Sequence, residues 1–171
     1  MLGNKIEKVK LQNRKKSLNK FIKRVNILAK FARKKNVSLL IENNVLSKKN
    51  YLEFRSNPLL MTSDNEMIKI MKNTPENVNL LIDVGHLKVT AKTLKFNKEK
   101  TLKKVNKWIK GYHLSENNGL EDSNKTFNSK SWFFRNLNSN VDYISVEIYI
   151  KNLKLIKSQI KLVKKLLNGR K

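Results

Sequence analysis

The sequence contains no cysteine among its 171 residues. This excludes a disulfide framework and a thiolate metal site, so any metal has to be held by oxygen and imidazole nitrogen. No apolar stretch approaches the roughly 20 residues that a helix needs to span a bilayer. The basic first residues, "MLGNKIEKVKLQNRKK", are not followed by the apolar region of a secretory signal. We therefore expect a cytoplasmic protein with no membrane partner.

Acidic residues are also scarce. Only 13 aspartates and glutamates stand against 38 lysines and arginines, which gives a formal net charge of +25. Such an excess is typical of proteins that bind nucleic acid or another polyanion. The lysines are spread along the chain, however, and abundant lysine and asparagine also result from an A+T-rich coding sequence. We favour this compositional explanation, and a nucleic-acid-binding protein is the alternative function.

The apolar residues alternate between helical and extended patterns. A helix is predicted over 17–35, with Ser17 as its N-cap, and its buried face takes apolar residues spaced by three and four. These residues are Leu18, Phe21, Ile22, Val25, Leu28, Ala29 and Ala32. Further helices are predicted at 62–74 and 152–167, and a helical region has Leu94, Leu102, Val105, Trp108 and Ile109 as its best apolar positions. Strands are predicted at 37–42, 78–83, 110–116 and 141–149, with a long connection at 43–61 and a long polar loop at 117–140.

Alternation of strands and helices indicates an α/β fold with a parallel sheet, here of about four strands. We expect the first strand, 37–42, to be buried on both faces. Residues 1–15 are predicted to be a basic N-terminal extension and residues 16–171 a single domain. The loop at 117–140 is longer than a structural connection needs, which suggests a site.

Every predicted strand has an ionisable residue at or near its end. Because the carboxyl ends of parallel strands meet at one edge of a sheet, these side chains should converge there. Three carboxylates packed together repel one another, and a divalent cation removes that penalty. Carboxylate and imidazole ligands suit Mn²⁺, Mg²⁺, Zn²⁺ or Fe²⁺, and the sequence leaves the choice open. The residues are Glu42, Asp83 followed by His86, His113 followed by Glu116, and Glu147.

The strand-end segments also resemble those of a known family. "LLIENN", "LLIDVGHL", "YHLSENNG" and "SVEIY" occur in the order found in the C-terminal half of the xylose-isomerase-like TIM barrels. That family includes sugar isomerases and epimerases and the endonuclease IV group. The alternative function is therefore a basic nucleic-acid-binding protein or an endonuclease IV-like protein without a full catalytic site. The resemblance covers roughly residues 16–168 and implies a partial TIM barrel.

The resemblance implies a set of metal ligands and a reaction. One divalent metal would be bound by Glu42, Asp83, His113 and Glu147, and the two glutamates would serve as acid and base. The expected reaction is isomerisation or epimerisation of a sugar or sugar phosphate, by proton transfer through a metal-stabilised enediolate.

The resemblance also implies substrate contacts. His86 matches a histidine that contacts substrate, or a further metal in multi-metal members. In "GLEDSN" the family often has Asp-x-His; here Asp122 is present and Asn124 takes the histidine position. This departure counts against a three-metal endonuclease site and favours a single metal. Glu116 completes the candidate substrate-binding residues. Trp132, Phe133 and Phe134 could line a sugar site, although core packing is the preferred interpretation.

A TIM barrel has eight strands, and this sequence predicts four. A half barrel leaves two open sheet edges and an apolar face. Three explanations remain open at this stage. The chain is a fragment of a longer protein, it pairs with a separate N-terminal half, or it forms a homodimer that resembles a complete barrel.

Overall fold

The computed structural model describes residues 6, 7 and 9–168. Within them, short 3-10 turns lie at Asn106–Trp108 and Phe134–Asn136, and no helix is long and apolar enough to cross a membrane. The other elements are α1 (Arg14–Arg33), β1 (Leu39–Glu42), α2 (Lys48–Phe54), α3 (Asp64–Lys72), β2 (Val78–Asp83), α4 (Val84–Leu94), α5 (Lys98–Val105), β3 (Ile109–Leu114), β4 (Tyr143–Val146) and α6 (Leu153–Asn168).

The four strands form one parallel sheet in the order β1-β2-β3-β4. Consecutive strands are neighbours, and each connection between them contains a helix or the long loop, as parallel pairing requires. The register places Asp83 opposite His113. The predicted α/β class with a four-stranded parallel sheet is confirmed.

The two faces of the sheet have different environments. Leu80 and Ile82 of β2, with Tyr112 and Leu114 of β3, are fully buried against apolar residues of the helices. The opposite face presents Leu40, Leu81 and Tyr143, which lie outside this core, and Tyr143 is 60% exposed. The helices therefore cover only one face.

Helix α1 differs from its prediction in two respects. It begins at Arg14, inside the segment assigned to the basic extension, and Asn13 is its N-cap in place of Ser17. The Asn13 side chain accepts a hydrogen bond from the Lys16 backbone N–H at 3.0 Å, so it satisfies one of the free amides at the helix start. Leu28, expected on the buried face, is 58% exposed because it lies at the margin of that stripe.

The outer strands are shorter and more exposed than predicted. β1 is half-buried along its whole length, where burial on both faces was expected, and β4 covers four of the nine residues assigned to it. Within the described residues each of these strands has a neighbouring strand on one side only, so fewer hydrogen bonds and contacts extend it. Ile109, assigned to a helix, begins β3, and the connection at 43–61 contains the short helix α2.

We predict that Leu80→Ala lowers the free energy of unfolding by about 2–5 kcal/mol, because a fully buried side chain of the central sheet leaves a cavity. Urea unfolding followed by circular dichroism measures the change. The control is Leu52→Ala on α2, where the side chain is 61% exposed and a much smaller effect is expected. Equal losses for the two variants would contradict the assignment of the core.

Candidate metal centre

Four potential ligands meet at the carboxyl edge of the sheet. Glu42, Asp83, His113 and Glu147 each offer one ligand atom, and these atoms all lie within 4.8 Å of one another. Glu42 and Asp83 end β1 and β2, His113 is in β3, and Glu147 directly follows β4. Because side chains alternate along a strand, Glu147 shares a face with Ser145, the residue paired with His113. The parallel register thus brings the four side chains to one side of the sheet.

The imidazole of His113 lies among the three carboxylates. Its Nδ1 is 3.0 Å from Glu147 Oε2, 3.2 Å from Glu42 Oε1 and 3.9 Å from Asp83 Oδ2. The hydrogen bond with Glu42, followed by the charges of the carboxylates, raises the pKa of His113 against the opposing effect of burial. Burial acts to raise the pKa of Glu42, but the contacts with His113 and His86 prevail and lower it.

Asp83 is the most buried member of the group, with no side-chain exposure. Burial raises its pKa to about 7, and the charges of Asp122 and Glu147 act in the same direction. Its Oδ2 is buried and makes no hydrogen bond, and the same holds for Glu147 Oε2. Two buried carboxylate oxygens that make no hydrogen bond, beside a third carboxylate and an imidazole, fit a divalent cation.

Asp83 is held in place by its other polar atoms. As the N-cap of α4, its Oδ1 accepts a hydrogen bond from the His86 backbone N–H at 2.8 Å, which leaves Oδ2 for a ligand. The Asp83 backbone N–H donates to Asn43 Oδ1 at 2.8 Å, and Asn43 Nδ2 donates to the Asp83 carbonyl at 3.1 Å. Sequence reasoning missed Asn43, although it directly follows Glu42 in "LLIENN".

His86 lies behind the ligands and is 3% exposed. Its Nδ1–H donates to the Asn43 carbonyl at 2.9 Å, and its Nε2 lies 3.2 Å from Asp122 Oδ2. Burial acts to lower the pKa of His86, but the contact with Asp122 and the charge of Asp83 raise it to about 9. Both ring nitrogens therefore face protein oxygens. His86 lies next to Glu42 and Asp83 and helps to hold these two side chains in place.

The other candidate residues lie around this centre in different roles. Asp122 is fully buried against His86, and Asn124 is buried with a left-handed backbone (φ +41°) and accepts a hydrogen bond from Ser115 Oγ at 3.2 Å. Glu116 pairs with Lys88 on α4 at 2.5 Å and does not belong to the converging group.

The aromatic residues of the long loop belong mainly to the core. Phe133 and Phe134 are almost completely buried and contact Phe127 edge-on at 5.5 and 5.7 Å between ring centroids. Trp132 is partly buried, and Lys98 Nζ lies 4.8 Å from the centroid of its ring. Core packing, the preferred interpretation of this segment, is confirmed.

No protein-family model matches the chain, and no curated protein matches it in sequence. Solved structures do match. The 3-keto-D-glucoside 4-epimerase YcjR from E. coli is 10% identical with a TM-score of 0.62, over 98% of this chain and 60% of its own. D-psicose 3-epimerase from Clostridium cellulolyticum H10, solved with D-tagatose, is 16% identical with a TM-score of 0.59, over 96% and 53%.

A third match is the probable 3-DHS dehydratase AsbF from Bacillus anthracis, 12% identical with a TM-score of 0.57, over 84% of this chain and 55% of its own. At such identities the likeness shows the fold alone. The chain therefore has part of the TIM-barrel fold of these structures, and it spans between 53% and 60% of the length of these three structures.

We predict that Gly85→Ala weakens Mn²⁺ binding by roughly 10- to 100-fold, the range for lost support of a ligand. A Cβ at Gly85 would lie 2.6 Å from Ser115 Oγ and 3.1 Å from Asp83 Oδ1, so the start of α4 or the carboxylate has to move. Isothermal titration calorimetry measures the affinity. Adding Ser115→Ala should restore part of it, and wild-type affinity in Gly85→Ala alone would contradict the packing described here.

The affinity for Mn²⁺ should also depend on pH. Asp83 has a pKa of about 7, and the pKa of His113 is raised, so protons compete with a cation below neutrality. We expect affinity to be weak at acidic pH and to rise as the pH passes through about 7. Titrations at a series of pH values test this, and an affinity that is constant across the series would contradict it.

Proposed function

We propose that this protein is a divalent-metal-dependent isomerase or epimerase of sugars or sugar phosphates. The main support is the convergence of four ligand atoms within 4.8 Å, with Asp83 Oδ2 buried and unpaired among them. In barrel folds the active site lies at the carboxyl edge of the sheet, and these four residues lie at that edge. The epimerases among the similar structures support the same class of reaction.

The four residues would hold the cation, and Asp83 is the ligand whose position is fixed by further hydrogen bonds. When bound, a divalent cation supplies Lewis-acid stabilisation of the negative charge that develops on neighbouring sugar oxygens. Asn43 and the start of α4 orient Asp83 through both its backbone and its Oδ1. Such support keeps the ligand geometry fixed while the substrate changes charge.

Glu42 and Glu147 are the proposed acid and base. They approach the same His113 nitrogen at 3.2 and 3.0 Å, so a substrate bound beside His113 would have both carboxylates nearby. One glutamate takes the proton from the carbon next to the sugar carbonyl, and the other glutamate, or the same one, returns it. Return to the opposite face of that carbon gives an epimer, and return to the neighbouring carbon interconverts an aldose and a ketose.

The contacts with His113 and His86 lower the pKa of Glu42, so this carboxyl is ionised at neutral pH, as a general base has to be before the reaction. Substrate contacts by His86, Asp122, Asn124 and Glu116 are proposed from the family resemblance. The contacts of His86 and Asp122 with each other favour a supporting role for this pair before substrate arrives.

The decisive experiment combines metal binding with proton exchange. The chain is loaded with Mn²⁺ and incubated in D₂O with a panel of ketoses, aldoses and their phosphates, and deuterium incorporation beside the carbonyl is followed by NMR. We expect Glu147→Gln to lower exchange by roughly 10²- to 10⁴-fold, the usual contribution of a general acid or base. The matched control is Glu121→Gln, an exposed acid of the long loop, which should leave exchange unchanged.

Metal binding distinguishes this proposal from the alternative function, which is nucleic-acid binding. Asp83→Asn should abolish most Mn²⁺ binding, and a wild-type chain that binds no divalent metal would overturn the proposal. Salt-sensitive binding to a DNA duplex that persists in both Asp83→Asn and Glu147→Gln would instead favour nucleic-acid binding through lysine and arginine.

A further inference from the structure

A cavity of about 500 Å³ lies between helices α1 and α3 at the surface of the molecule. Three exposed lysines line it: Lys23 and Lys30 belong to α1, and Lys69 belongs to α3. We call this cavity the α1–α3 groove. The rest of its lining consists of asparagines and isoleucines, and among the described residues no acidic side chain contributes to it. The groove is therefore a concave surface on which every charge is positive.

Hydrogen bonds fix the two helices on either side of the groove. Asn26 Nδ2 donates to the Asn73 carbonyl at 3.0 Å, and Asn73 Nδ2 donates to the Lys69 carbonyl at 2.8 Å. α1 also packs on the core through its buried Val25 and Ala29. The fold therefore sets the distance between the lysine backbones across the groove, while the lysine side chains extend into solvent.

The three lysines of the groove have no acidic partner within the described residues. The two acidic residues of α3, Asp64 and Glu66, pair instead with Lys104 and Arg14. Like charges that line one cavity repel one another, and an anion bound there compensates them. The groove thus has the charge and the free donors that a polyanion requires.

The structure separates the two signs of charge. α1 contains eight lysines and arginines and α6 contains five, and neither helix contains an aspartate or a glutamate. The carboxyl edge of the sheet instead brings together Glu42, Asp83, Asp122 and Glu147. A coding bias toward lysine explains how many lysines the chain has, but it does not by itself produce this separation. Basic residues clustered along a helix are the electrostatic signature of nucleic-acid binding.

The lysines of α1 that reach the groove belong to a longer row. Lys16, Lys23 and Lys30 are seven residues apart, so they lie on one side of the helix at intervals of about 10.5 Å. α1 ends shortly before β1 begins, so Lys30 lies toward the amino edge of the sheet, away from the metal centre. A row of ammonium groups suits an extended polyanion with regularly spaced charges, and a nucleic-acid backbone is such a polyanion.

The groove fits a duplex better than a single strand. Its lining includes no aromatic side chain, and proteins that bind single strands stack the bases on aromatic rings. In a duplex the bases are already stacked, and the phosphates face outward, where lysines and asparagine amides bind them without reading the base sequence.

We propose that the α1–α3 groove binds the phosphate backbone of a nucleic-acid duplex, independently of base sequence. This inference goes beyond the proposed function and does not depend on it, because the groove and the metal centre share no residue. A chain that binds both Mn²⁺ and a duplex satisfies both proposals. Duplex binding counts against the isomerase proposal only in a chain that binds no divalent metal.

The test measures binding of the full chain to a fluorescent DNA duplex of mixed sequence, without metal or sugar, between about 50 and 200 mM salt. Each phosphate contact steepens the dependence of log K on log salt concentration by about 0.9. The variant Lys23→Gln/Lys30→Gln/Lys69→Gln should therefore make this slope shallower by about 2 to 3 and weaken binding at least roughly 10-fold. All three positions are exposed, so the variant should keep the wild-type circular dichroism spectrum.

A control variant of equal net charge distinguishes the groove from the overall charge of the protein. Lys154→Gln/Lys157→Gln/Lys161→Gln removes three exposed lysines of α6 and should change the slope by less than about 1. The proposal is overturned if the wild type shows no saturable binding, if the two triple variants change the slope equally, or if single-stranded DNA binds more tightly than the duplex. It is also overturned if the groove variant loses binding to phosphatidylserine vesicles but keeps its affinity for the duplex.

Discussion

The repulsion among three carboxylates at one edge of the sheet is the constraint on which the site depends. Parallel pairing brings Glu42, Asp83 and Glu147 together whether or not their charges are compensated. His113 compensates part of that charge by its place among them, and His86 does so from beneath. Two carboxylate oxygens still make no hydrogen bond. The divalent cation that we propose would account for these oxygens and for the mixed oxygen and nitrogen ligand set.

The surroundings of this cluster are organised to keep Asp83 fixed although its charge is unfavourable there. Asn43 bridges the ends of β1 and β2, and the first turn of α4 takes one oxygen of the carboxylate. Gly85 allows Ser115 and Asn117 to approach that turn closely. These contacts come from three separate segments, so the geometry of the ligands depends on the packing of the whole carboxyl edge.

The sequence predicted the features that follow from the spacing of apolar residues and from the parallel order of the strands. Alternating apolar segments gave the four strands, and parallel order alone was enough to bring Asp83 and His113 opposite each other. It did not predict features that depend on whether a strand has a neighbour on both sides, or on the hydrogen bonds of a single side-chain amide. The short β4 arises because the strand lies at the edge of the sheet, and Leu28 is exposed because it lies at the margin of the buried stripe of α1. The role of Asn43 rests on hydrogen bonds between its side chain and the backbone, which leave no periodic signal. The site roles themselves stay predictions.

The central claim is that one divalent cation is held by Glu42, Asp83, His113 and Glu147. Anomalous diffraction from crystals grown with Mn²⁺ tests it most directly. The account predicts a single strong peak at about 2.0–2.4 Å from one atom of each of the four side chains, the range for divalent cations with oxygen and nitrogen ligands. A map with no peak among these residues, or with its only peaks elsewhere on the surface, would contradict it.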